Sequence, residues 1–192
     1  MNEITEGLHN NFQRLLAKLT GSAVFPSTTP EEIRHKICQI ELLMGQSEGA
    51  GEFVNTVDSY PLLHRYATGM YIRQITIPAG HLVIGRIHKE AHYNVITKGI
   101  VSILTEAGGL EVLAAPVSMI SPAGCKRLLF THEETEWTTT HATYLTDPDE
   151  IEHQVIAPSY TAIGWHDPKV ELNNSAELQR SNSPEKLKGT LS

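Results

Sequence analysis

The chain has 192 residues, with 15 Lys+Arg against 22 Asp+Glu for a formal net charge of −7, and is 40% hydrophobic and 19% charged; this is the composition of one soluble globular domain with short extras, long enough to bury a core. The acidic balance supplies no broad positive field, which excludes a general nucleic-acid or anionic-membrane binder but leaves room for a local basic pocket. No apolar run approaches the ~20 residues of a membrane span, the N-terminus lacks an export signal, and Cys38 and Cys125 lie far apart, so a cytoplasmic protein with two buried thiols and no disulfide framework is expected.

The first segment carries Ile4, Leu8, Phe12, Leu15, Leu16 and Leu19 at spacings of three and four, one apolar stripe of an amphipathic helix ending near Gly21. A second helix is announced by Thr29-Pro30-Glu31-Glu32, where Thr29 caps, Pro30 suits the first position and Glu32 completes a capping box. Its stripe is Ile33, Ile37, Ile40 and Met44, and Gly45 with Gly49-Ala50-Gly51 ends it. Such short helices must bury their stripes on the rest of the chain or on another copy, and a homodimer is expected.

The period then changes from helical to alternating. Short apolar or β-branched runs follow at Met70 to Ile77, Leu82 to Ile87, Tyr93 to Ile96, Ile100 to Thr105, Leu110 to Ala114, Val117 to Ile120, Lys126 to Thr131 and Trp137 to Thr143. Pro78-Ala79-Gly80, Lys98-Gly99, Gly108-Gly109, Pro116 and Pro122-Ala123-Gly124 punctuate them. This is an all-β pattern, and closure into a barrel or jelly roll removes exposed edges. Beyond Trp165 the chain turns polar and reads as a disordered tail. The expected organisation is a helical segment over 1–53, a β-barrel over 54–165 and a flexible tail over 166–192. The acidic run at Asp147 to Glu152 lacks the glycine and spacing of a calcium loop; Asp147 capping Pro148 with Glu150 completing the box reads instead as a helix start. His132, inside THEETE, is expected in solvent.

The segment PAGHLVIGRIHKEAHYNVITKG, residues 78–99, followed by SPAGCKR, residues 121–127, resembles the two signature motifs of the cupin superfamily, small β-barrels that hold a metal or ligand inside. The wording as a whole also looks like cupin-like proteins of tailed phages and prophages. Counting back from Gly99 places His92 at the family's glutamate position, His88 at its second histidine and Arg86 at its first. Counting forward from Gly124 places Arg127 at its last histidine. His88 alone keeps the ligand type, so the resemblance implies the fold more strongly than an ordinary cupin metal site.

His88 and Arg86 are two apart on one expected strand and so share a face. If residues 126–131 and 137–143 form a hairpin across His132 to Glu136, Thr131 faces Trp137 and Arg127 faces His141. His88, His92, His141, Arg86 and Arg127 then converge inside the barrel, although a one-residue slip sends His141 outside. Three imidazoles suit a divalent transition metal such as Zn, Fe, Mn or Ni, and the two arginine forks suit a phosphorylated or carboxylated small molecule. The plain alternatives are hydrogen-bonded histidines and arginines paired with Glu90, Glu106 or Glu111 at a rim.

The expected function is a cupin-like small-molecule protein with an internal His/Arg pocket, either a metal-dependent enzyme or a metal-free site in the manner of nucleotide-sugar epimerase relatives. The other readings are a non-catalytic sequestering module and a structural phage-type component. No phosphate loop, serine elbow or Cys-x-x-C pair is present to support another chemistry.

Overall fold

A computed structural model of the chain describes residues 3–46 and 60–181. Helix α1 spans Glu3–Thr20 and α2 spans Pro30–Gln46. The Gly21 N–H closes α1 by donating to the Ala17 carbonyl at 2.9 Å. The capping box of α2 forms as expected: the Thr29 N–H donates to Glu32 Oε2 at 2.7 Å, and the Glu32 N–H donates back to Thr29 Oγ1 at 3.3 Å. The expected entry to the barrel near residue 54, and the Gly49-Ala50-Gly51 stop, lie outside the described residues.

Eleven strands follow among the described residues: β1 Leu62–Ala67, β2 Met70–Ile77, β3 Leu82–Ile84, β4 Ile87–His88, β5 His92–Lys98, β6 Ile100–Thr105, β7 Gly109–Ala114, β8 Val117–Ser121, β9 Arg127–Thr131, β10 Thr135–Ala142 and β11 Ile156–Ala157. Helix α3, Pro148–Val155, lies between β10 and β11. One sheet has the order β1-β2-β10-β5-β8, the other β3-β9-β6-β7, and β4 pairs with β11. All pairs are antiparallel and nested: β6 with β7, β5 with β8, β3 with β9, β2 with β10. Nested pairs wrapped over two facing sheets make a jelly roll.

The two sheets differ in what covers them, and the sequence pattern records it. Leu82, Ile84, Leu104 and Leu128 point out of the four-stranded sheet onto Phe12, Leu16, Ile33, Ile37 and Ile40 of the helices. The other face of that sheet gives Val83, Val101, Ile103 and Leu129 to the barrel interior, against Ile75, Ile77, Ile96 and Trp137 of the other sheet. The four-stranded sheet is therefore buried on both sides and its strands read as continuous apolar runs. Phe12 and Leu16 of α1 and Ile33, Ile37 and Ile40 of α2 are buried against this chain's own barrel, while Ile4 at the start of the α1 stripe stays 68% exposed. Strand β10 instead alternates strictly, with Thr135, Trp137, Thr139 and His141 buried and Glu136, Thr138 and Thr140 half-buried.

That difference corrects the expected β9–β10 hairpin. Strand β9 pairs with β3 and β6, while β10 crosses to the opposite sheet and pairs with β2 and β5. The doubly covered run Arg127–Thr131 and the singly covered run Thr135–Ala142 cannot lie side by side without exposing Leu128 and Phe130 or burying the polar face of β10. His132 is not a solvent residue either: half-buried at the crossing, its Nε2 meets the Ser102 hydroxyl at 2.7 Å.

The expected disordered tail is a helix over its described part. Helix α4 spans Pro168–Ser181; Leu172 packs against Cys38, Ile87, Ala157 and Tyr160, and Lys169 reaches Glu41 at 3.0 Å. A few apolar contacts and one shared carboxylate suffice where composition alone suggested none. Residues 182–192 lie outside the described residues. Cys38 and Cys125 are free and buried, and burial pushes the Cys38 thiol up to about 12, consistent with small hydrophobes. Among the described residues no helix is long and apolar enough to cross a membrane.

Candidate metal centre

Each histidine reaches the barrel interior by a separate local device. His88 sits on the two-residue strand β4, paired to Ile156, and its carbonyl accepts the Gly124 N–H at 2.7 Å. Gly124 has φ +77°, and a Cβ there would stand 2.5 Å from the Trp165 ring, so only glycine lets the Pro122-Ala123-Gly124 turn approach both. His92 opens β5 opposite Ser121, on the buried side of the alternation His92, Asn94, Ile96. His141 is the last inward residue of β10, opposite Tyr71 of β2. It therefore reaches the interior through β2 and not through β9 as expected.

The three rings meet. Ring centroids lie 3.9 Å apart for His88–His92, 5.0 Å for His88–His141 and 4.9 Å for His92–His141. One nitrogen from each lies within 4.8 Å of the others. Burial is the largest cause that lowers all three pKa values: His88 falls well below the ordinary histidine value, and His92 and His141 fall to about 4, with Arg73 adding repulsion at each ring. All three are neutral at pH 7.

The hydrogen bonds fix which nitrogen is available. His92 Nδ1 lies 3.1 Å from the Glu90 carbonyl, which only accepts, so Nδ1 carries the proton and Nε2 carries the lone pair. That Nε2 is buried without a hydrogen-bond partner, as is Nδ1 of His88. Two buried imidazole nitrogens without partners, aimed into one cluster, are costly unless something coordinates them. The donor set fits a divalent first-row transition metal: neutral nitrogens, a carbonyl orienting one ring, and no carboxylate in the cluster.

Behind the triad, Asn94 Oδ1 accepts from Trp137 Nε1 at 2.9 Å and from Thr139 Oγ1 at 3.2 Å, while its amide donates to Ser121 Oγ at 2.8 Å. Arg127 is buried, with its guanidinium 5.3 Å from the Trp137 ring centre. In front, a cavity of about 240 Å³ opens from His88 and His141 toward α3. Its walls include Leu62, Tyr71, Arg73, Ile151 and Val155.

The two arginines singled out in the sequence part company. Arg127 lies behind the triad and is not among the residues that line the cavity. Arg86 falls in the break between β3 and β4, half-buried, and pairs with Glu152 of α3. It forms a rim ion pair, with Glu152 where Glu90, Glu106 and Glu111 were the expected candidates; the continuous strand that placed it beside His88 is interrupted at Gly85, whose N–H instead donates to the Arg127 carbonyl at 2.8 Å. Glu106 is used elsewhere, accepting from Arg34 and from the Tyr160 hydroxyl at 2.5 Å.

Arg73 and Tyr71 were missed in the sequence, although a signal existed. The alternation Tyr71, Arg73, Ile75, Ile77 puts a cation into an inward apolar set on β2. His64 of β1, a strand absent from the expected runs, holds the Tyr71 hydroxyl through Nδ1 at 2.6 Å.

No known family profile matches the chain, and no curated protein matches it. Among solved structures it is similar to a cupin-2 domain containing protein from Shewanella frigidimarina, with 10% identity, 51% of this chain and 92% of that one covered and a TM-score of 0.37. It is similar to an RmlC-like cupin protein from Desulfovibrio desulfuricans, with 12% identity, 48% and 91% covered and a TM-score of 0.36. It is also similar to a cupin domain from Bordetella pertussis, with 17% identity, 44% and 93% covered and a TM-score of 0.35. These neighbours are cupin domain proteins, but such distant likenesses carry no residue roles; the jelly roll rests on the strand pairing of this chain, and the site on its own three buried histidines.

Proposed function

We propose that His88, His92 and His141 hold one divalent transition metal ion and that the chain is a cupin-like, metal-dependent small-molecule protein whose ligand is an organic anion. The observation that carries this is the fixed tautomer of His92, which leaves a buried, partnerless Nε2 beside the partnerless Nδ1 of His88. Zinc, iron, manganese and nickel all suit such a nitrogen set. When bound, the ion would polarise a ligand oxygen or lower the pKa of a bound water.

The chain's own residues do the rest. The Glu90 carbonyl keeps the His92 proton on Nδ1, and the Gly124 N–H holds the β4 backbone in place under His88. Tyr71, tied to His64, stacks on His141 at 6.5 Å between centroids and keeps that ring in line. Ile151 and Val155 of α3, packed with Tyr71 and Ile156, give the cavity an apolar wall. A barrel serving only as a structural part needs an apolar or closed interior; a buried cluster of three imidazoles, of which His88 and His141 line an open cavity, favours a ligand instead.

The test is elemental analysis of protein purified without chelator. About one equivalent of a first-row metal per chain is expected, falling severalfold in His92→Ala, with a thermal shift when zinc, nickel, manganese or iron is added to stripped protein. Less than about a tenth of an equivalent after growth in supplemented medium, with no shift from any of the four ions, replaces this reading with the metal-free one.

A further inference from the structure

Arg127 is a buried charge that the chain itself does not balance. Among the described residues three cations are buried, Lys36, Lys126 and Arg127. Lys126 donates to Glu41 Oε2 at 2.5 Å, and Lys36 donates to the Thr20 hydroxyl at 3.2 Å and to the Ser22 carbonyl at 3.1 Å. Among the described residues no carboxylate reaches Arg127, and no carbonyl or hydroxyl accepts from its guanidinium. Burial lowers its pKa, and no carboxylate raises it back. The Trp137 ring, 5.3 Å away, offsets only part of what the charge loses by leaving water. Among the described residues only His88 Nδ1 and His92 Nε2 are both partnerless and wholly enclosed; the guanidinium is partnerless but keeps some accessible surface, 9% for the residue.

Its position says what that charge acts on. Arg127 stands on the inward side of β9 with Leu129, opposite Thr105 of β6, and Trp137 shares the inward face of β10 with Thr139 and His141. The Arg127 charge lowers the pKa of His88 and of His92, so a divalent ion held by those rings would feel the same repulsion. Asn94 Oδ1, on the same inner wall, already accepts from Trp137 and Thr139. We propose that Arg127 holds a small, singly charged, planar oxyanion, bicarbonate or a short carboxylate, on the inner side of the triad, and that this anion and the metal ion bind with positive cooperativity. The proposal rests on the metal reading above and goes beyond it, since it makes the ion's affinity depend on a second ligand. The guanidinium edge offers two parallel donors that match such a group. A bound anion cancels the Arg127 charge and so weakens the repulsion at the triad, and by linkage the ion tightens the anion by the same factor. The site is separate from the cavity in front, whose lining residues do not include Arg127.

The experiment measures zinc affinity of the stripped full chain by chelator competition, in chloride buffer and with acetate, bicarbonate, acetamide or phosphate added. Acetate or bicarbonate is expected to tighten zinc at least about tenfold over chloride, and acetamide to leave it unchanged. Whichever of the two acts at the lower concentration assigns the source, a carboxylate group or the free bicarbonate ion. Arg127→Met is expected to bind zinc in chloride about as tightly as the parent does with the anion, and to respond to acetate by no more than about twofold. Arg127→Lys should keep part of the response, because it keeps the charge without the fork. A parent that responds no more to acetate and bicarbonate than to acetamide, a larger effect of phosphate, or a response that Arg127→Met leaves intact overturns the proposal. Should Arg127→Met not fold, an undiminished response in Arg127→Lys overturns it equally. The metal reading fails separately, through a parent that takes up no zinc in any buffer. The anion is then read by melting: acetate that stabilises the parent more than the Arg127 variants keeps the oxyanion site without its ion, and equal stabilisation removes both.

Discussion

Acidifying the metal-free protein should expose the cost of keeping the histidines neutral. In the unfolded chain a histidine titrates near 6.5, whereas burial brings His92 and His141 to about 4. Because the folded values are the lower ones, the unfolded state binds more protons between these limits. Stability is therefore complete above pH 6.5 and lost as the pH falls toward 4. For one ring with those values, linkage gives a loss of about 2 kcal/mol at pH 5 against about 0.2 kcal/mol at pH 7. His92 and His141 together approach about 4 kcal/mol, somewhat less as their charges interact, with a further contribution from His88, whose pKa is lowered in the same direction. The assay is urea unfolding in EDTA at pH 7, 6, 5 and 4.5, for the parent and for His141→Gln. The glutamine variant starts from a different stability, so the quantity compared is the change from pH 7 to pH 5. His141→Gln should lose about 2 kcal/mol less than the parent over that interval. Parent and variant curves that fall in parallel within about 0.5 kcal/mol would refute the reasoning, because the ring would then titrate alike in both states.

Two further outcomes follow from the rim and the helix contacts. Breaking the Arg86–Glu152 ion pair from the other side, by Glu152→Gln, should cost under about 1 kcal/mol in urea unfolding and leave the zinc content unchanged, because the pair is substantially solvated, with side chains 32% and 41% exposed; a severalfold loss of zinc would mean that the pair supports the histidine cluster. Glu106→Ala should cost about 3 kcal/mol or more, since it leaves Arg34 and the Tyr160 hydroxyl without their acceptor at the junction of α2 with the barrel. The triple substitution Arg34→Met/Glu106→Leu/Tyr160→Phe, which removes both partners together with the carboxylate, should recover most of that loss by urea unfolding, and failure to recover would mean that the carboxylate does more than satisfy its two partners.

Local chemistry was legible in the sequence wherever the cause was local. The Thr29–Glu32 box, the Asp147 cap, the Gly99 and Gly124 turns and the strands Met70–Ile77 and Ile100–Thr105 each follow from a few adjacent residues, and each forms where expected. Strand pairing was not local. Nothing between Thr131 and Thr135 states whether the chain turns back or crosses to the other sheet; the answer lies in Phe12, Leu16 and Ile37, more than 90 residues away, which cover the outer face of β9 and so set it apart from β10. His88, His92 and His141 could be named as candidates because residue type and alternation are properties of the sequence. That their rings meet, that Arg86 leaves the interior for Glu152 while Arg73 lines the cavity, and that residues 168–181 dock as a helix were decided only by tertiary structure, since each depends on which distant surface is close enough to pair a charge or bury an apolar side chain.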